Sequence, residues 1–193
     1  MRLRNTVGAL ALGLTAVLAT AAPAGAAAPV PVTGHAKFCL TAAAVSALPE
    51  GVVLTATAPA TLDTSGSTPC VTTPISSGSI TVDPLSGSFP LDGSFEFTRS
   101  SDGQRLDFTD LNDDLTSRKF TANAAINHGA PGALDLLTYQ LLSQNVQVGT
   151  NAVDITGPGN MTQMGVDVFN EAFDATPAQA GQALFDLTVH LDF

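Results

Sequence analysis

The 193-residue chain has no tryptophan, one tyrosine (Tyr139), two cysteines, three histidines, and seven lysines and arginines against seventeen acidic residues. Each shortage argues against a class of function. Sugar-binding clefts usually stack rings on exposed tryptophan or tyrosine, so a carbohydrate module is disfavoured. A few scattered cations on a chain of formal charge −10 do not neutralise a row of phosphates. That argues against nucleic acid, and against anionic membrane or wall polymer, as a partner. No G-x-S-x-G elbow occurs, so the usual serine-hydrolase signature is missing. His35, His128 and His190 are scattered, and none has a second histidine at metal-ligand spacing. The only glutamates, Glu50, Glu96 and Glu171, sit in no aromatic setting of the kind a glycosidase cleft provides. No catalytic residue and no metal ligand is assigned from these positions.

The only long apolar run lies at the start. Arg2 and Arg4 precede an Ala- and Leu-rich stretch, Val7 to Thr20, and Ala24-Gly25-Ala26 forms a small-residue cleavage site. This pattern predicts a secretory signal peptide over residues 1–26 and a secreted, extracellular protein. The arginines are split by Leu3, so there is no twin-arginine signal. Cleavage there removes two of the seven basic residues and leaves five against seventeen acidic ones, about −12 at neutral pH. It leaves 167 residues, the length of one domain with a real core. No later stretch has the length or apolarity of a membrane span, and the closing strand is expected to leave no room for a sorting tail.

Residues 27–35 are rich in Ala, Pro and Val and are read as a flexible, extended lead-in, with a single β domain over 36–193. Ala36 to Thr41 predicts a first strand. Thr41 then caps a turn of helix through Leu48, stopped by Pro49 and Gly51. Cys39 and Cys70 are the only cysteines, and in an exported protein a lone pair is most simply a disulfide. A Gly-Ser-apolar-x-apolar pattern recurs at Gly78, Gly87 and Gly93, which predicts short strands launched from glycine turns. No helix and no lysine follows them, so they are not phosphate loops. Asp102-Gly103 predicts a hairpin turn. Asp110, Asn112 and Asp114 have the spacing of a calcium loop, but Leu115 stands where that loop needs glycine and no glutamate closes it. They are read as a solvated, acidic strand end. Ala133 to Val148 fits either a helix or strands, and Tyr139 and Val146 to Val148 favour strands.

The clearest stretch is the last. Phe185, Leu187, Val189, Leu191 and Phe193 alternate with Asp186, Thr188, His190 and Asp192, which predicts a strand with one buried and one wet face. The row Asp186, His190 and Asp192 is read as that solvated face. Gly157-Pro158-Gly159 is read as a break. A helix capped by Asn160 follows it, with Gln163 at the third helical position and an apolar stripe of Met161, Met164, Val166, Val168, Phe169 and Phe173. Its acidic C-terminal end, Glu171 and Asp174, is unfavourable for the helix dipole. Nine to eleven short strands and this one short amphipathic helix make an all-β, antiparallel, sandwich-like domain.

The last half of the chain resembles secreted β-rich proteins of high-GC Gram-positive bacteria and, more distantly, the HtaA-type haem-binding domain. The resemblance lies in Gln104-Arg105-Leu106-Asp107-Phe108, Phe120-Thr121-Ala122-Asn123-Ala124 and Leu134-Asp135-Leu136-Leu137. Met161-Thr162-Gln163-Met164-Gly165-Val166 and Phe169-Asn170-Glu171-Ala172-Phe173 complete it. It implies an extracellular carrier whose haem is held by an axial tyrosine on an N-terminal segment. That segment has no tyrosine here, and Tyr139 lies elsewhere. Tyr139, His128 or a methionine has the chemistry to ligate haem iron, and none is assigned. The reading from sequence is a secreted, non-catalytic binding or interaction module for an unknown extracellular protein or small apolar ligand. A haem or other apolar-ligand carrier is one alternative and an extracellular hydrolase another.

Overall fold

A computed structural model describes residues 27–193, so the signal-peptide segment lies outside the described residues. The elements run β1 Val30–Pro31, β2 Thr33–Leu40, α1 Ala42–Ala47, β3 Val52–Thr57, β4 Thr61–Asp63, β5 Cys70–Ile75, β6 Ser79–Val82 and β7 Leu85–Pro90. They continue β8 Ser94–Arg99, β9 Arg105–Asp114, β10 Lys119–Ile126, β11 Gly132–Thr138, β12 Val146–Val148, β13 Ala152–Met161, α2 Gln163–Phe173 and β14 Ala183–Asp192. The fold is all-β, as the alternating patterns predict. The strands beyond the expected number include β1 and β4, two and three residues long and too short to show a period.

All pairings are antiparallel, and the main path runs β1-β6-β7-β9-β10-β11-β13-β14-β2-β5-β4. A branch, β8 and then β3, leaves the path at β9. The cause of the branch is local. Thr109 and Asn112 face Asn123 and Thr121, so Asp110 and Leu111 together oppose Ala122. Asp110 takes a left-handed conformation (φ 49°), and Asn123 donates to its carboxylate at 2.7 Å. This bulge bends β9. Its first half pairs β8, and its second half pairs β7. The carboxylates that share calcium-loop spacing are thus a bulge residue and a turn cap. Asp114 accepts from the Thr116 and Ser117 backbone amides.

The curl of the sheet brings two layers of phenylalanine together. Phe38 of β2 meets Phe120 and Phe185 at 4.8 and 5.8 Å and Phe95 of β8 at 6.3 Å. Phe97 and Phe108 continue the cluster to Phe169 of α2. Nine of the ten phenylalanines are buried, so rings fill the space between the layers. The inward set of β14 is as its alternation predicts: Phe185, Leu187, Val189 and Leu191 are buried.

Three boundaries differ from the sequence reading. Strand structure begins at Val30 rather than Ala36. Val30 pairs Ile80, Thr33 to His35 pair β14, and Gly34 and His35 also pair β5. Gly157-Pro158-Gly159 continues β13 and pairs Leu187, Asp186 and Phe185. It lies in a gap between the β12 and β11 pairings, where a proline leaves no second neighbour without a donor. Asn160 therefore stays in the strand, and the helix cap moves to Thr162, whose hydroxyl accepts from the Gly165 amide at 3.0 Å. The buried stripe of α2 is Gly165, Phe169, Ala172 and Phe173, while Met164 is exposed. The cation missing from its C-terminal end comes from β8: Arg99 donates to the Phe173 carbonyl at 3.1 Å.

Candidate functional site: an apolar cleft beneath the first helix

Thr41 sets up the site. Its side chain accepts from the Ala44 amide at 3.1 Å, starting α1, and donates to the Ala183 carbonyl at 3.1 Å, tying the helix to β14. Pro49 then ends the helical run and its carbonyl accepts from Val52, which turns the chain into β3. β3 pairs only β8, and β4 pairs only β5, so each has one free edge. The curled sheet is left open along this seam. A cleft of about 480 Å³ lies here, lined by Leu40, Val45, Leu48, Val52, Val53 and Leu54 with the loop Thr64–Pro69 opposite. Its size falls in the range of small-molecule sites.

The seam is held by two devices. Cys39 and Cys70 are direct cross-strand partners joined as a disulfide, next to Leu40 and Pro69, which hydrogen-bond at 3.0 Å. The loop wall is stiffened by Asp63, which accepts from the Ser65 amide at 2.9 Å and its hydroxyl at 2.6 Å. The side-chain bond from Ser65 holds the Asp63 carboxyl below its ordinary range. Val45 and Val53 are 39% and 51% exposed, an unusual position for valine and one that leaves apolar surface facing the cleft. Glu50 is the only ionisable side chain in the lining.

The remaining candidates lie elsewhere. Tyr139 is buried, and its hydroxyl donates to the buried Asp113 carboxylate. Burial raises the Asp113 pKa to about 7, against the lowering effect of the Tyr139 hydrogen bond, and burial also raises Tyr139. A void of about 10 Å³ adjoins the pair, walled by Ile155, Leu187 and Val189. The sequence reading placed Asp113 in the solvated, acidic strand end, but it is buried, as Leu111 and Leu115 at ±2 mark it to be. His128 sits with Asn127 at the tip of the β10–β11 hairpin, both at positive φ (62° and 50°), as a tight primed turn requires. His190 sits on the outer face of β14. Its Nδ1 lies 2.7 Å from Asp154 and its Nε2 3.2 Å from Asp192. The bond to Asp154 raises its pKa. Both ring nitrogens thus face carboxylates rather than a hydroxyl nucleophile.

Haem needs an axial ligand from the protein, commonly His, Met, Cys or Tyr. The cleft lining holds none of these. Tyr139 is committed to Asp113, and His128 is on an exposed turn. The residues present do not fit an iron-coordinating haem site in the cleft.

No family model matches the chain, and no curated protein matches it either. Solved structures do match it in fold, and two are informative. The C-terminal domain of HtaA from Corynebacterium glutamicum aligns with a TM-score of 0.60 at 12% identity, over 84% of this chain and 99% of that one. The haem-binding protein HtaB from the same organism aligns with a TM-score of 0.50 at 15% identity, over 86% of this chain and 96% of that one. The likeness therefore extends well beyond the last half of the chain. In its fold, this chain is similar to the HtaA-type haem-binding domain.

Proposed function

We propose that the chain is a secreted, non-catalytic binding domain that carries a small apolar molecule in the α1–β3 cleft without coordinating a metal through it. The observation that carries this reading is the cleft itself: an open seam walled by aliphatic side chains and stapled by the Cys39–Cys70 disulfide. The similarity to a haem-binding protein supports a small, largely apolar ligand. The lining chemistry favours one that is uncharged, since Glu50 would repel an anion and only Thr64, Ser67 and Thr68 offer hydroxyls.

The test is a fluorescence titration of the purified protein with Nile red, a neutral apolar dye, run beside a haem titration followed by visible absorbance. Saturable one-to-one dye binding is expected, weakened at least tenfold in Val45→Asp and Val53→Asp. Both valines are exposed, so neither change should unfold the domain. No binding, or binding unaffected by both substitutions, overturns the cleft assignment. A sharpened, saturable Soret band that disappears in Tyr139→Phe or His128→Ala overturns the absence of iron coordination.

A further inference from the structure

The outer face of β13, β14 and β2 carries a second constellation, at the far end of β2 from the cleft. His190 pairs Asp154 on one side and His35 on the other, and Asp192 lies two residues along on the same face. The His35 and His190 rings stand 5.5 Å apart, centroid to centroid, tilted by 35°. We infer that His35, His190 and Asp192 form a binding site for a divalent transition-metal ion of the zinc type, with Asp154 as the positioning residue.

The geometry is half built. Two ligands each about 2.0–2.1 Å from a tetrahedral zinc lie roughly 3.3 Å apart. Nε2 of His190 and Oδ1 of Asp192 are 3.2 Å apart. On the other side of the ring, Asp154 faces Nδ1 at 2.7 Å. That is the arrangement of a carboxylate that fixes a ligand histidine's tautomer and leaves Nε2 free for the metal. The third ligand is not yet in place: among the described residues no three His, Cys, Asp or Glu side chains already converge on one point. His35 is exposed. Two imidazoles on one tetrahedral ion have centroids about 5 Å apart, and the His35 and His190 rings stand close to that spacing. A two-histidine, one-carboxylate set with nitrogen and oxygen donors suits zinc, nickel or copper rather than calcium or magnesium.

Without a metal, Asp154, His190 and Asp192 make an ion-pair triad holding β13 to β14, and the experiment separates the two. Untagged protein is titrated calorimetrically with zinc chloride. One site is expected, weakened at least tenfold in His35→Ala and in Asp192→Ala, and also in Asp154→Asn, since loss of such supporting carboxylates costs 10–100-fold in affinity. A cobalt(II) spectrum of tetrahedral type should appear in the parent protein and not in His35→Ala. His35 bonds to neither carboxylate, so a purely structural triad would leave zinc affinity indifferent to it. No zinc binding, or equal binding in His35→Ala, overturns the site. Circular dichroism of each variant confirms that these surface changes leave the fold intact.

Discussion

At Asp113 a single carboxyl is shut inside the fold with one partner, the Tyr139 hydroxyl. Burial raises its pKa to about 7, above the ordinary unfolded value of about 3.9. Between these values the native state binds a proton that the unfolded chain has released, so stability falls as pH rises through that window and levels off above it. The full shift corresponds to roughly 4 kcal/mol as a ceiling. The charges that act on the pair are few: Asp114 disfavours ionisation of both groups, and Arg118 favours it at Tyr139. Urea unfolding from pH 4 to 8 should show the parent protein losing stability relative to Asp113→Asn across this window. Parallel curves would show that Asp113 is ordinary. Another residue-scale constraint lies at Gly34, whose φ of 147° brings it against the His190 carbonyl. A Cβ there would lie 2.0 Å from that oxygen. Only glycine lets β2 approach β14 so closely.

At the scale of the element, α2 shows what periodicity reveals and what it does not. Its presence, its end at Phe173 and the inward turn of Phe169 and Phe173 were legible from the i, i+4 apolar spacing. Its start was not. Gly157-Pro158-Gly159 reads as a breaker, yet β13 runs through it because the far side of the strand is unpartnered there. That shifts the cap from Asn160 to Thr162 and turns Met164 outward. Phe169 packs on Phe97 at 4.9 Å, on Phe108 at 5.8 Å and on Phe173 at 6.2 Å. Phe169→Ala should cost about 3–5 kcal/mol, read as a lowered denaturation midpoint. An unchanged midpoint would mean that the helix is not seated on the core. The histidine–aspartate row shows the limit of the same method. Ligand spacing was sought along the chain, whereas His35, His190 and Asp154 become neighbours only through cross-strand register.

For the whole molecule, fold class was legible because alternation persists through β10 and β14 and through each half of β9 on either side of its bulge. The seam was not, since it depends on which strands fail to pair. β3 and β4 end as free edges, and no local pattern announces that. The disulfide acts at this scale. It closes a loop of sequence separation 31 and should contribute roughly 3–4 kcal/mol through the unfolded state. It also anchors β2 to β5 at the cleft wall. Reduction, or paired Cys39→Ser and Cys70→Ser changes, should lower the melting temperature and weaken Nile red binding together. A lowered melting temperature with unchanged dye affinity would separate the staple from the cleft.

The neighbours of β14 have a consequence for how the molecule comes into being. β14 lies between β13 and β2, so one of the earliest strands of the chain waits for one of the latest. Nothing synthesised in between completes the sheet. Closing so long a loop is entropically costly and slow, and folds dominated by such distant pairings form in milliseconds to seconds rather than microseconds. A polypeptide with this ordering can pair its neighbouring strands as they emerge, but it joins its two ends into one sheet only after β14 has been made.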